Sequence, residues 1–257
     1  MNVTSADGTS IFFEQRGDGP PVILVGGAFN DRTTVAGLAE VLAGDFTTIV
    51  YDRRGRGDSG DSSSYAVERE IEDLAALIAH VGGTASVFGH SSGAILAMEA
   101  AAAGVGIERV VAYEPPYATD EHPRADVVDD VRAQLAAGDR DAAVATFLQV
   151  AGTPAEMIEG MKAAPVWGWF TALAHTLPYD LTIVGRDARP RDSLARIAIP
   201  ALVIGGGASD DALQSGARAA AAAVPGARHE TLEGQDHGVL QFPETLKDLL
   251  TDFLKQA

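Results

Sequence analysis

The pentapeptide Gly89-His90-Ser91-Ser92-Gly93 sets a serine between two glycines, directly after the apolar run Ala85–Phe88 and at the head of a stretch ending at Ala103. In a strand–turn–helix context, G-x-S-x-G is the pattern that holds a nucleophilic hydroxyl on a bend too tight for large flanking residues. Ser91 is therefore the candidate nucleophile, and its chemistry is attack on a carbonyl carbon. That attack builds negative charge on the carbonyl oxygen, which needs backbone N–H donors beside the nucleophile. Gly26-Gly27-Ala28 follows a second apolar run, Pro21–Val25, and the glycine pair lets the backbone bend toward the serine. The N–H groups of Ala28 and Ser92 are the candidate oxyanion hole. The positive end of the helix starting at Ser91 points at the same place. In a chain with 28 glycines the pentapeptide alone also suits an ordinary strand-to-helix turn, so its weight comes from the segments that agree with it.

Asp52-Arg53-Arg54-Gly55-Arg56-Gly57-Asp58-Ser59 follows the run Thr47–Tyr51. Here the chain resembles the α/β-hydrolase family, whose members commonly carry D-x-R-G-x-G-x-S, matched by Asp52, Arg54, Gly55, Gly57 and Ser59. The family uses this loop structurally, so the resemblance implies no catalytic role for it. The tripeptide Arg56-Gly57-Asp58 also spells an adhesion motif, which we read as coincidence. The resemblance puts the general base in Gly234-Gln235-Asp236-His237-Gly238, after the last strand, and so on His237. The chain order nucleophile, acid, histidine is the one expected of this fold. Of the other histidines, His80 falls near a helix end and His229 in a strand. His90 neighbours the nucleophile and is expected to point away from the cleft. His122 and His175 belong to the cap, with His175 a candidate substrate contact.

The acid must be a buried carboxylate that orients His237 and stabilises its protonated form. The family's usual position, after Ala201–Ile204, falls on Ser209, with Asp210 one residue late. Asp210 equally suits the N-cap of a helix starting near Asp211. Glu114 ends the run Arg109–Tyr113, within Tyr113-Glu114-Pro115-Pro116. Haloalkane dehalogenases and zearalenone-type lactonases of this fold can place their acid after that strand. The chain is similar to those lactonases at Ser91-Ser92-Gly93-Ala94, at Glu114 with Pro115 and Pro116, at the acid-less Gly-Ala turn near 207–208, and at Pro165-Val166-Trp167. Glu114 is the first candidate and Asp210 the alternative; a loop carboxylate that merely bonds backbone is the plain reading of Glu114.

The segment Pro165-Val166-Trp167-Gly168-Trp169-Phe170 is apolar and aromatic. Such stripes are usually packing, but a cap over Ser91 must also roof a pocket. Trp167, Trp169, Phe170 and His175, with Phe29 beside the glycine turn, are the candidate substrate contacts. The expected activity is a serine hydrolase that cleaves an ester or lactone of a small, largely apolar substrate without a cofactor or metal. A cofactor-free perhydrolase, a carbon–carbon bond hydrolase, and a non-catalytic ligand-binding protein of the same fold are the alternatives. Epoxide hydrolases and haloalkane dehalogenases need a carboxylate where Ser91 stands.

These residues need a scaffold. Short runs, Ile11–Gln15, Pro21–Val25, Thr47–Tyr51, Ala85–Phe88, Arg109–Tyr113, Ala201–Ile204 and Arg228–Leu232, mostly lack polar alternation, as strands covered on both faces do. Between them, Thr33–Leu42, Ala66–Val81, Ser91–Ala103, Asp211–Ala223 and Pro243–Lys255 read as helices. The alternation predicts an α/β fold with a mostly parallel central sheet flanked by helices. The polar first strand suggests an antiparallel edge. From about Thr119 to Ser193 no strand is convincing, and Pro154, Pro165, Pro178 and Pro190 punctuate short helices. The expected organisation is the α/β-hydrolase fold, with residues 1–118 and 194–257 as the core and 119–193 as an inserted helical cap.

Composition narrows the partners. The 257 residues carry a formal net charge of −17, opposite in sign to what phosphate-rich nucleic acid or an anionic membrane attracts. There is no cysteine, which excludes disulfides, thiolate metal sites and a thiol nucleophile. Met1–Gly8 has no apolar run behind a basic segment, so no signal peptide is read and a cytoplasmic protein is expected. Association into a homo-oligomer is left open.

Overall fold

The computed structural model describes residues 1–62 and 64–256. Eight strands form one sheet in the order β1-β2-β4-β3-β5-β6-β7-β8. They are β1 (Asn2–Thr4), β2 (Ser10–Arg16), β3 (Pro21–Val25), β4 (Thr47–Tyr51), β5 (Ala85–His90), β6 (Ile107–Tyr113), β7 (Ala201–Gly206) and β8 (Arg228–Leu232). β3 to β8 run parallel, while β2 pairs antiparallel with β4 and β1 antiparallel with β2. The sheet therefore differs from expectation at one end. β2 is antiparallel but not the edge, because the short Asn2–Thr4 lies beyond it. Three residues show no periodicity, so only pairing with Ser10–Phe12 reveals that strand.

Helices α1 (Arg32–Leu42) and α10 (Glu244–Leu254) cover one face, where Val35, Leu38, Leu42, Leu246, Leu250 and Phe253 pack on Val22, Leu24, Phe88 and Ile204. Helices α2 (Val67–His80), α3 (Ser92–Ala103) and α9 (Asp211–Ala223) cover the other. Every residue of α3 from Ser92 to Ala100 is buried, as expected of a helix that is apolar all round. In α2 the inward stripe is Glu70, Asp73, Leu74, Leu77 and Ile78. Its spacing is that of an amphipathic helix, but its first two members are acids.

Between β6 and β7 the chain forms α4 (Val128–Ala136), α5 (Arg140–Val150), α6 (Ala155–Lys162), α7 (Val166–Leu173) and α8 (Leu177–Val184). Pro154 and Pro165 stand at the N-caps of α6 and α7, and Pro178 lies in the first turn of α8, where a missing N–H costs nothing. This insertion has its own apolar cluster, including Val131, Val144, Leu148, Trp167 and Leu173. Phe29, from the loop after β3, is inserted into that cluster. No helix is long and apolar enough to cross a membrane among the described residues.

Register aligns the carboxyl ends of the strands. Val25 pairs with Gly89, His90 with Tyr113, Tyr113 with Ile204 and Gly206 with Leu232. The loops beginning at Gly26, Ser91, Glu114, Gly207 and Glu233 therefore emerge side by side along one edge of the sheet. Clefts outside these ends are where open α/β sheets bind ligands.

Candidate active site

Ser91 is the N-cap of α3, with φ 58° and ψ −126°, far from the helical region. A non-glycine residue in this conformation stores roughly 1–3 kcal/mol of strain, which persists only where the surroundings enforce it. The enforcement is visible in the glycines. A Cβ on Gly89 would lie 2.3 Å from the Gly93 carbonyl oxygen, and one on Gly93 would lie 2.6 Å from those of Val25 and Gly26. The Ser91 N–H donates to the Tyr113 carbonyl at 2.9 Å. Its hydroxyl makes no capping bond, so the side chain stands free of the helix it begins.

The turn after β3 passes directly against this serine: a Cβ on Gly27 would sit 2.8 Å from Ser91 Cβ. The turn is itself strained, with Phe29 at φ 57°. Gly27 N–H donates to Asn30 Oδ1 at 2.8 Å. Two arginines from the loop after β4 hold its carbonyls. Arg53 Nη1 donates to Gly26 O at 3.3 Å, and Arg56 Nη1 donates to Gly27 O at 2.5 Å and to Asn30 O at 3.0 Å.

His237 Nδ1 lies 2.7 Å from Glu114 Oε2. Glu114 is fully buried, at φ 45°, and its Oε1 accepts the Gly206 N–H at 2.8 Å. The contact crosses the end of β7, where Gly206 leaves the gap; a Cβ there would be 2.5 Å from Gln235 O and 2.9 Å from Glu114 Oε1. The His237 loop is fixed by Tyr113 Oη donating to Asp236 O at 2.7 Å and by Ala208 N–H donating to Gln235 O at 2.9 Å. His90 Nε2 bonds His237 O at 2.9 Å, and the two imidazoles lie 4.7 Å apart. Burial, with His237 alongside, depresses the His90 pKa to about 3, so this ring is neutral and donates from Nε2. His237 and Ser91 are thus joined through the residue that precedes Ser91.

The other expected positions separate. Asp210 is exposed and caps α9, accepting the Leu213 N–H at 2.9 Å. His175 is exposed, its Nε2 bonded to Gly55 O at 2.8 Å. Trp167 is buried in the insertion, with Nε1 donating to Asp141. Trp169 is half exposed, and its Nε1 donates to Phe29 O at 2.8 Å. Phe170 and Phe147 flank Phe29, with ring centroids 4.4 and 5.3 Å away. Among the described residues no group of three or more His, Asp or Glu could hold a metal ion.

The loop after β4 carries more than its motif implies. Asp52 accepts the Asp58 N–H, and a Cβ on Gly57 would lie 2.2 Å from its carboxylate. Arg54 pairs with Asp73 through two bonds of 2.7 and 2.8 Å. Arg53 pairs likewise with Glu70, at 2.6 and 2.7 Å. Asp180, on α8, then receives Arg53 at 2.8 Å, Arg56 at 2.8 Å and the Ser92 hydroxyl at 2.7 Å. Burial works to raise the Asp180 and Glu70 pKa values, but the guanidiniums outweigh it and hold both carboxyls ionised below the ordinary range. Sequence reasoning passed over Arg53, Arg56 and Asp180. The available signals were two acids in the apolar stripe of α2 and one acid inside the apolar run Leu177–Val184.

The model of the alpha/beta hydrolase family matches residues 22–249. The crystal structure of an alpha/beta hydrolase from Sphaerobacter thermophilus DSM 20745 is 47% identical, with a TM-score of 0.92 over 99% of this chain and 100% of that one. A hydrolase from Pseudomonas aeruginosa PA01 is 26% identical, with a TM-score of 0.78 over 100% of this chain and 98% of that one. The uncharacterized hydrolase YraK of Bacillus subtilis (strain 168) is 35% identical over 96 residues, 36% of this chain. The match spans about a third of that relative, 35% of its length.

Proposed function

The chain belongs to the alpha/beta hydrolase family, and from that premise we propose that it is a serine hydrolase cleaving a carboxylic ester or lactone of a small, largely apolar substrate. The observation that carries the reading is the buried Glu114 carboxylate 2.7 Å from His237 Nδ1, on a loop bonded to the residue beside a strained, uncapped serine.

In this reading Glu114 holds the imidazole in the tautomer with its proton on Nδ1, leaving Nε2 to act as base. Nε2 takes the hydroxyl proton as Ser91 Oγ bonds to the carbonyl carbon, and the carbonyl π pair moves to oxygen. The Ala28 and Ser92 N–H groups receive that oxyanion. Collapse expels the alcohol, which leaves with the proton from Nε2, and the acyl group stays on Oγ. Water, deprotonated by Nε2, then releases the acid and restores the serine. The helical insertion serves as a cap, with Phe29, Phe147 and Phe170 giving the acyl side an aromatic wall.

The test is a screen of aryl esters and lactones, run with a serine-reactive phosphonate. The wild type is expected to turn over an activated ester and to be labelled on Ser91, and Ser91→Ala to lose both. Undiminished turnover by Ser91→Ala ends the reading.

A further inference from the structure

The peptide unit joining Gly27 to Ala28 has two ends. Its N–H is the proposed oxyanion donor of Ala28. Its carbonyl, Gly27 O, accepts Arg56 Nη1 at 2.5 Å. The same nitrogen donates to Asn30 O at 3.0 Å, which closes the turn. Arg56 Nη2 is held at 2.8 Å by Asp180 Oδ2, and Asp180 Oδ1 accepts the hydroxyl of Ser92, whose N–H is the second proposed donor. One buried carboxylate from the insertion thus connects to both halves of the oxyanion hole. We propose that Arg56, anchored by Asp180, is a positioning residue that fixes and polarises the Gly27–Ala28 peptide for oxyanion binding. The inference rests on the acyl-transfer reading above.

Two physical effects support the assignment. Gly27 has no Cβ, so its peptide has little local reason to keep one orientation; a guanidinium bonded to its carbonyl supplies one. A cation bonded to the oxygen of a peptide also draws electron density from its nitrogen and strengthens the N–H as a donor, as in any hydrogen-bonded chain. Both act where water is excluded, since Arg56 and Asp180 are buried. Lysine would keep the charge but not the fork that meets Gly27 O and Asp180 from separate nitrogens.

The experiment compares Arg56→Lys and Arg56→Met with the wild type on an activated ester, with kcat expressed per active site titrated by the phosphonate. Arg56→Lys is expected to lose about 10-fold in kcat and Arg56→Met about 100-fold, approaching the loss of one oxyanion donor, with KM within about threefold. Affinity for an aryl boronic acid, whose tetrahedral adduct places an oxygen in the oxyanion hole, is expected to fall in parallel. The pH profile of kcat/KM should stay in place, because His237 is untouched. Millimolar guanidinium is expected to restore part of the Arg56→Met loss. A purely structural role would lower the titrated fraction and leave kcat per site and boronate affinity unchanged, and that result overturns the proposal. If Arg56→Met does not fold, Arg56→Lys decides alone. Failure of the parent reading is distinguishable, because Ser91→Ala would then match the wild type.

Discussion

Glu114 and His237, 123 residues apart in sequence, meet across the carboxyl end of β7, a strand to which neither belongs. Glu114 follows β6 and His237 follows β8. The strand between them ends at Gly206, whose N–H bonds the same carboxylate. The carboxylate that meets His237 thus lies one strand earlier than Asp210, which is engaged in holding the first turn of α9.

Glu114→Gln is therefore expected to lower kcat by about 10²–10⁴, because the amide cannot fix the imidazole tautomer or stabilise its charged form. Asp210→Ala should leave kcat within about twofold and lower stability by about 1 kcal/mol, the usual cost of a lost N-cap. Steady-state kinetics and thermal unfolding of both variants check this. A larger kcat loss in the Asp210 variant would reverse the assignment.

Gly206→Ala is expected to damage activity more than stability. The added methyl would press on Gln235 O and Glu114 Oε1 at 2.5 and 2.9 Å, both beside the Glu114–His237 contact. Ester turnover should drop at least 10-fold, while the far-ultraviolet circular dichroism stays that of the wild type.

Stability should fall on mild acidification. His90 binds its proton only near pH 3 when folded, because burial and the adjacent His237 disfavour its charge, against about 6.5 when unfolded. Between those values the unfolded chain holds more protons, so stability declines as pH drops from about 6.5 toward 3. Burial depresses His229 in the same direction. Asp180 and Glu70, held low by arginines, add their losses only below the ordinary carboxylate range near pH 4. Urea midpoints at pH 7.5 and 5.5 should differ in the wild type and differ less in His90→Gln.

Arg54→Met separates architecture from chemistry. Arg54 is fully buried and paired with Asp73, whose own pKa is raised, chiefly by burial. Removing one partner of such a pair typically costs about 3–5 kcal/mol. The variant should unfold at lower urea, yet retain wild-type kcat per titrated site, unlike Arg56→Met.

Strands and helices were legible because their signals are local. Pro21–Val25, Thr47–Tyr51, Arg228–Leu232 and Asp211–Ala223 coincide with the elements as read from sequence. The elbow was legible for the same reason: Gly89 and Gly93 are dictated by the bend they flank. The short β1 was not, since three residues carry no period and depend on a partner strand.

What the sequence by itself determined is the alternation of elements, the bend at Ser91 and the glycine turn beside it, because steric permission and apolar periodicity act over a few residues. Tertiary structure alone decided which carboxylate faces His237, since Glu114 and Asp210 both follow strands and only the gap at Gly206 favours the first. It alone also revealed the cluster of Arg53, Arg56, Glu70 and Asp180. Sequence patterns assign charges to the surface, and these four are buried only because segments up to 127 residues apart neutralise one another inside the fold.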